Sequence, residues 1–255
     1  MFTKYTKNLL ATLVLPLIIS FAFASQILAQ DLFPQLMQVN QLQLKPDKIE
    51  RFRAIHRDVF MPAGRHRGLP WRYTTSTIIG ESFQMTVVTP IANMAALDQP
   101  AALGATALEQ ELSLEIWNTA VVSRRRYIVI SRPDMSMEAQ PETGITALYR
   151  FQVKSGHEPR FVALWNEKVI PALTQSGIKG TQVFQTLAGG KNGEFFSLTP
   201  IANFAFLDGG GPFRGLAPED AAALNVELGL LLDEMEISFT QVDQELSYGL
   251  PGLQQ

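Results

Sequence analysis

Cysteine is absent from all 255 residues. Disulfides, thiolate nucleophiles and Cys-ligated zinc are therefore excluded, and the apolar core alone has to hold the fold. Histidine is nearly as scarce: His56, His66 and His157 are the only three, and no pair has the spacing of metal ligands. No Gly-x-Ser-x-Gly elbow is present, so the usual hydrolase nucleophile is missing. Gly209-Gly210-Gly211-Pro212 lacks the following Lys-Ser/Thr of a phosphate cradle and reads as an insertion loop. Basic charge is also short, with 21 Lys and Arg against 24 Asp and Glu for a net charge of −3. A mildly acidic chain argues against nucleic acid, which needs a concentrated basic face. Arg124-Arg125-Arg126 directly precedes an apolar strand and reads as a solvated strand entry.

Hydrophobic residues make up 46% and charged residues 18%, the balance of a folded globular chain. One segment stands apart. Lys4 and Lys7 precede an apolar run from Leu9 to Ala24, followed by the small-residue exits Ala22-Phe23-Ala24 and Ile27-Leu28-Ala29. A basic start, a short apolar run and a small-residue exit make a secretory leader, here residues 1–29, and imply a periplasmic or secreted protein. The other reading of this run is an uncleaved membrane anchor, at the short end of a spanning length. No later segment is long and apolar enough to span a bilayer, so no membrane contact is expected after cleavage. Residues 1–29 hold two of the basic residues and none of the acidic ones, so cleavage takes the net charge to −5.

The chain repeats itself. Thr89-Pro90-Ile91-Ala92-Asn93-Met94-Ala95-Ala96-Leu97-Asp98 returns as Thr199-Pro200-Ile201-Ala202-Asn203-Phe204-Ala205-Phe206-Leu207-Asp208, with eight of ten positions identical at an offset of 110. Upstream, at an offset of 109, Phe52, Ile55, His56, Met61 and Pro62 face Phe161, Leu164, Trp165, Ile170 and Pro171. Gly68 faces Gly177, and Gly80 faces Gly189. The offset changes in Gly190-Lys191-Asn192-Gly193, hairpin chemistry in which an inserted residue costs little. Two diverged copies are expected, at 30–133 and 146–248, with a linker at 134–145 and a tail at 249–255.

Each copy predicts the same elements. Alternation over Val39–Leu44 and Leu148–Val153 opens each with a strand. A helix follows, with Ile49, Phe52, His56 and Val59 on one face, and Phe161, Trp165, Val169 and Leu173 in the second copy. Pro62 and Pro171 are expected to interrupt its last turn, with Gly68 and Gly177 as terminators. Strands at Trp71–Ile79 and Phe83–Val88 pair with counterparts at Thr181–Leu187 and Glu194–Leu198. A second helix is marked by Leu108, Leu112 and Ile116, or Leu224, Leu228 and Leu231, before a last strand at Tyr127–Ile130 or Ile237–Val242. The order β-α-β-β-α-β is the ferredoxin-like unit. Its sheet is bare on one face, so the two faces are expected to pack on each other with helices outside. An exposed sheet edge in either unit would let such pseudo-dimers pair further as homo-oligomers.

The pattern Phe-x-x-Ile/Leu-His/Trp, then Pro-Ala, Gly, a hairpin and the Pro-Ile-Ala-Asn segment resembles the dimeric α+β barrel superfamily. Its NIPSNAP-like and antibiotic-biosynthesis-monooxygenase-like branches come nearest. The resemblance implies an α+β fold in which two ferredoxin-like repeats form a single-chain pseudo-dimeric α/β barrel. Members include cofactor-free monooxygenases, haem-degrading enzymes, isomerases and proteins of unknown role, so the fold does not choose an activity. Haem-degrading members place an Asn, a Trp and a His about one cavity. Here Asn40, Trp117 and His56 are on offer, but Ser123–Tyr127, where those members carry their His, has none.

His56 is the most informative residue. It sits on an apolar helix face where the second copy has Trp165, either as a core-edge histidine or as a titratable group that makes one helix–sheet cavity unlike the other. Asn93 and Asn203 are retained in both copies and read as turn caps or as ligand contacts, with Asp98 and Asp208 as similar caps. The ligand-binding set is thus His56, Trp165, Asn93 and Asn203. No catalytic constellation, metal or cofactor is expected. Three functions remain open: an exported binder of a small apolar ligand, a cofactor-free oxygenase-like enzyme, and a structural or partner-binding envelope protein.

Overall fold

A computed structural model describes residues 36–98, 105–137 and 144–249. The leader 1–29 and the tail beyond 249 lie outside the described residues. In chain order the elements are β1 (Leu36–Leu44), α1 (49–66), β2 (Tyr73–Ile79), β3 (Gln84–Pro90), α2 (Ala107–Thr119) and β4 (Val121–Ser131). The same order then returns as β5 (Ile145–Val153), α3 (158–175), β6 (Gln182–Ala188), β7 (Glu194–Ile201), α4 (Pro218–Leu231) and β8 (Leu232–Val242). None of the described helices is long and apolar enough to cross a membrane.

The eight strands close into one barrel in the order β1-β3-β2-β8-β5-β7-β6-β4, with every neighbouring pair antiparallel. Within each half the order is that of a ferredoxin-like sheet. The halves are joined edge to edge, β2 to β8 and β4 to β6. The two open faces turn inward towards each other, and the sheet edges also join, so closure uses every edge of the eight strands within the chain. The edge-to-edge oligomer therefore has no free edge there to use.

β4 and β8 are each 11 residues long, well beyond the apolar stretches expected. Their first turns are polar because both faces find polar partners. Arg124 and Arg126 point outward and donate to Asn40 and Gln38 on β1. Arg125 points into the barrel. The Arg run is thus the body of a strand rather than its solvated entry. Inside, Glu194 is fully buried and receives Arg125 at 2.6 Å, Arg150 at 2.7 Å and the Thr186 hydroxyl at 2.8 Å. Burial alone would raise its pKa, and these donors outweigh burial and hold it below the usual range. Next to this pair of arginines the interior turns apolar, with Tyr127 stacked on Phe196 at 5.4 Å.

The helices cover the outside. Phe52 of α1 and Phe161 of α3 are fully buried against the sheet, each worth about 1.5–3 kcal/mol. Neither helix breaks at its proline. Each instead widens to a π turn, His56–Phe60 and Trp165–Val169, before continuing through Met61–His66 and Ile170–Gln175. The Met61 N–H donates to the His56 carbonyl and the Ile170 N–H to the Trp165 carbonyl, five residues back in both cases. A proline lacks an N–H and its ring crowds the carbonyl four residues earlier, which a widened turn relieves. The ends follow expectation: Gly68 and Gly177 have φ of 80° and 73°, and Leu69 and Ile178 close back onto Gly64 and Leu173. α2 starts on a capping box of Thr106 and Glu109. Leu108, expected in its apolar face, is 57% exposed, and Ile116 carries that face.

Two connecting segments cross over. After β4, Met135 is fully buried in the second half's core, the Arg132 N–H donates to the Val183 carbonyl, and Ser136 Oγ accepts the Val183 N–H. After β8, Leu246 is fully buried in the first half's core, the Asp243 N–H donates to the Thr74 carbonyl, and Ser247 Oγ accepts the Thr74 N–H. The segment read as a linker is therefore packed through Met137, which bridges Thr181 as Tyr248 bridges Arg72.

Candidate functional site

Between helices and sheet, the halves differ. In the second half the space is filled by Trp165, 3% exposed, whose indole N–H donates to the Met135 carbonyl at 2.8 Å. Phe151 and Phe161 lie 5.5 and 5.8 Å from it, centre to centre. The void left beside it is about 190 Å³. In the first half, His56 takes the place of Trp165, and a cavity of about 810 Å³ opens between α1, α2 and the outer faces of β1, β3 and β4.

His56 is held on three sides. Phe52 lies 4.1 Å from its ring centre and Phe60 meets it edge-on at 5.0 Å. Arg72, at the entry to β2, donates from Nη2 to His56 Nδ1 at 2.8 Å. A guanidinium only donates, so Nδ1 must be the bare nitrogen and Nε2 carries the proton. Burial, and then the charge of Arg72, push the imidazole pKa well below its ordinary value, so the ring stays neutral. The pair presents an N–H donor and a cation, rather than a base. A haem iron or other metal needs an imidazole lone pair, which here is taken by Arg72, and no metal-holding cluster of His, Asp and Glu occurs among the described residues. The residues present do not fit a haem ligand.

Arg72 is 7% exposed, and burial brings its pKa down to about 10. Its Nε donates to Thr74 Oγ1 at 3.2 Å, and Thr74 in turn donates to the Leu246 carbonyl at 2.8 Å. The crossing segment after β8 thus fixes the arginine that fixes the histidine. Arg72 was missed from sequence. Its signal was available: Arg72 stands 109 residues before Thr181, the same offset that pairs His56 with Trp165. Asn40 and Trp117 also line this cavity, with Arg124 stacked over Trp117 at 4.6 Å.

Asn93 and Asn203 are not brought to His56. Both are exposed, and their side-chain oxygens accept turn N–H groups at 3.0 Å, from Ala96 and Ala205. Asn203 additionally lines a separate groove with Arg214 and Phe206. Asp98 and Asp208 are the last residues of their helical turns, so they cannot cap the starts.

No protein-family model matches this chain, and no curated protein sequence does. Solved structures do. A candidate monooxygenase from Lactobacillus acidophilus is 9% identical, with a TM-score of 0.53 over 81% of this chain and 93% of that one. A second candidate monooxygenase, from Fusobacterium nucleatum, is 9% identical, with a TM-score of 0.56 over 81% and 91%. An anthrone oxidase-like protein is 15% identical, with a TM-score of 0.55 over 84% and 93%. At such identities the likeness is one of fold alone.

Proposed function

We propose that this is an exported protein that binds one small, largely apolar ligand in the helix–sheet cavity of its first half. The observation that carries the proposal is the exchange of Trp165 for His56: about 810 Å³ is open in the first half, whereas the matching space in the second is split into about 190 Å³ beside Trp165 and a groove of about 280 Å³ at Asn203, with Pro212 and Phe213 also filling it. Cavities of 300–1,000 Å³ lined by aromatics with a few placed polar groups are typical of small-molecule sites. The two halves are read as diverged copies of one ferredoxin-like unit, joined as a single-chain pseudo-dimer. Support comes from the matched hydrogen bonds of the two crossing segments and from π turns at the same place in α1 and α3. On this reading one copy kept an open cavity and the other was packed shut. Export rests on the leader at residues 1–29, and an intact mass beginning near Gln30 on protein recovered from a periplasm would test it.

The experiment for the binding reading is non-denaturing mass spectrometry of the mature protein, purified from an expression host and incubated with cell extract. A small-molecule adduct on the wild type that His56→Trp removes is expected. A clean mass in both would overturn the reading.

A second reading, a cofactor-free oxygenase-like enzyme, is favoured by the structural neighbours, two candidate monooxygenases and an anthrone oxidase-like protein. It needs a base, and His56 can serve as one only if Arg72 releases Nδ1. Oxygen consumption with an anthrone-type substrate, abolished by His56→Ala, would support it. No turnover would leave binding alone.

A further inference from the structure

We infer that the His56 cavity selects an aromatic anion, a flat ring system carrying a carboxylate, sulfonate or phenolate that meets Arg72; this rests on the ligand-binding reading above and names its ligand class. Among the described residues, three guanidinium groups line the cavity, those of Arg67, Arg72 and Arg124, and no Asp or Glu does. That imbalance stands out in a chain of net charge −3. Arg67 is already paired with Glu109 at 2.9 Å. The other two are not neutralised in this way. Arg72 gives hydrogen bonds to Thr74 Oγ1 and His56 Nδ1, both uncharged acceptors. The nearby carboxylate of Asp243 is engaged by Arg53. Arg124 gives its hydrogen bonds to the Asn40 side-chain oxygen, also uncharged, from Nε at 3.0 Å and from Nη2.

Burying a cation costs several kcal/mol unless an anion accompanies it. Arg72 has five N–H donors, two of which have the partners just named, and its Nη1 has none among the described residues. A planar guanidinium with free donors is built for bidentate contact with a carboxylate or its equivalent. The imidazole beside it adds Nε2–H, a further donor that carries no charge of its own. The remaining walls suit a ring: Phe60 on one side and Trp117 on another. The second half shows the contrast, since Thr181 occupies the place of Arg72 and bonds to Ser197 and Thr199 hydroxyls at 2.7 and 3.0 Å. There the imidazole and the cation are both gone.

The test compares two fluorescent probes that share one skeleton. 1-Anilinonaphthalene-8-sulfonate carries an anion, and N-phenyl-1-naphthylamine does not. The wild type should bind the sulfonate about tenfold or more tightly than the amine, the range of a charge-assisted hydrogen bond. Arg72→Gln should weaken the sulfonate about tenfold and leave the amine unchanged, with Arg72→Lys between them. The double variant His56→Trp/Arg72→Thr, which installs the second half's pair, should remove both signals and so separates the cavity from surface adsorption. Should Arg72→Gln not fold, Arg72→Lys, which keeps the charge but loses the planar fork, carries the comparison through a smaller loss of the sulfonate alone. Equal affinities for the two probes, or an equal loss of both on Arg72→Gln, would overturn the anion selectivity while leaving a ligand cavity standing. Binding of neither probe by the folded wild type would sink the ligand-binding reading itself, and this inference with it.

Discussion

Truncating the equivalent residues of α1 and α3 should cost very different amounts. Trp165→Ala removes a side chain that is 3% exposed, packed on two phenylalanines and bonded to the Met135 carbonyl. Loss of the indole leaves a closed void and an unsatisfied buried carbonyl, and changes of this kind cost about 3–5 kcal/mol. His56→Ala opens onto a cavity that already exists, so little new void is created. It loses two ring contacts and one hydrogen bond, about 1 kcal/mol net. The difference, about 3 kcal/mol, is readable by urea unfolding followed by tryptophan fluorescence and far-UV circular dichroism. With a urea slope of about 2–3 kcal/mol/M, the two midpoints should lie about 1 M apart. Equal losses would refute the reasoning, because they would mean that the His56 side is packed as tightly as the Trp165 side.

Other outcomes follow from the same structure. Glu194→Ala strands Arg125 and leaves Arg150 to Glu236 alone, and should lower stability by about 3 kcal/mol; a change below about 1 kcal/mol would show that water compensates them. Stability should also fall as pH drops below the ordinary histidine value of 6.5, because the unfolded chain then binds a proton that neutral, half-buried His56, beside Arg72, refuses. That contribution is fully present above 6.5 and amounts to about 1 kcal/mol lost by one pH unit below it; His56→Gln should flatten the profile over that window, and an unchanged profile would contradict a lowered pKa. Gly189→Ala should cost more than Gly177→Ala in thermal melts. Both positions are left-handed, at φ of 78° and 73°, but a Cβ at 189 would meet the Arg126 carbonyl at 2.6 Å, whereas nothing lies within 4 Å at 177.

Much of the element order was legible because apolar periodicity is a local signal. Phe52 and Phe161 announce their helix faces from spacing alone, and Gly68 and Gly177 mark the ends. Long-range pairing was less visible. The early residues of β4 look like a charged entry because Arg125 finds Glu194 across 69 positions, which no local window reports. Pro62 and Pro171 looked like helix breakers because the π turns that accommodate them are set by backbone geometry rather than by composition. The crossing segment after β4 reads as a linker, since Pro, Ser and Asp are turn residues wherever they stand. At the site, His56 was found because it broke an apolar pattern. Arg72 was not, because an arginine at a strand entry looks solvated until the segment after β8 is laid over it.

The central claim is that, of the two helix–sheet spaces beside His56 and Trp165, the one beside His56 takes the ligand. The most direct measurement is the stoichiometry of the neutral probe N-phenyl-1-naphthylamine, by isothermal titration, on the wild type, His56→Trp/Arg72→Thr and Trp165→Ala. One site on the wild type, none on the double variant and two on Trp165→Ala are predicted. Two sites on the wild type, or one site that survives in the double variant, would contradict the account.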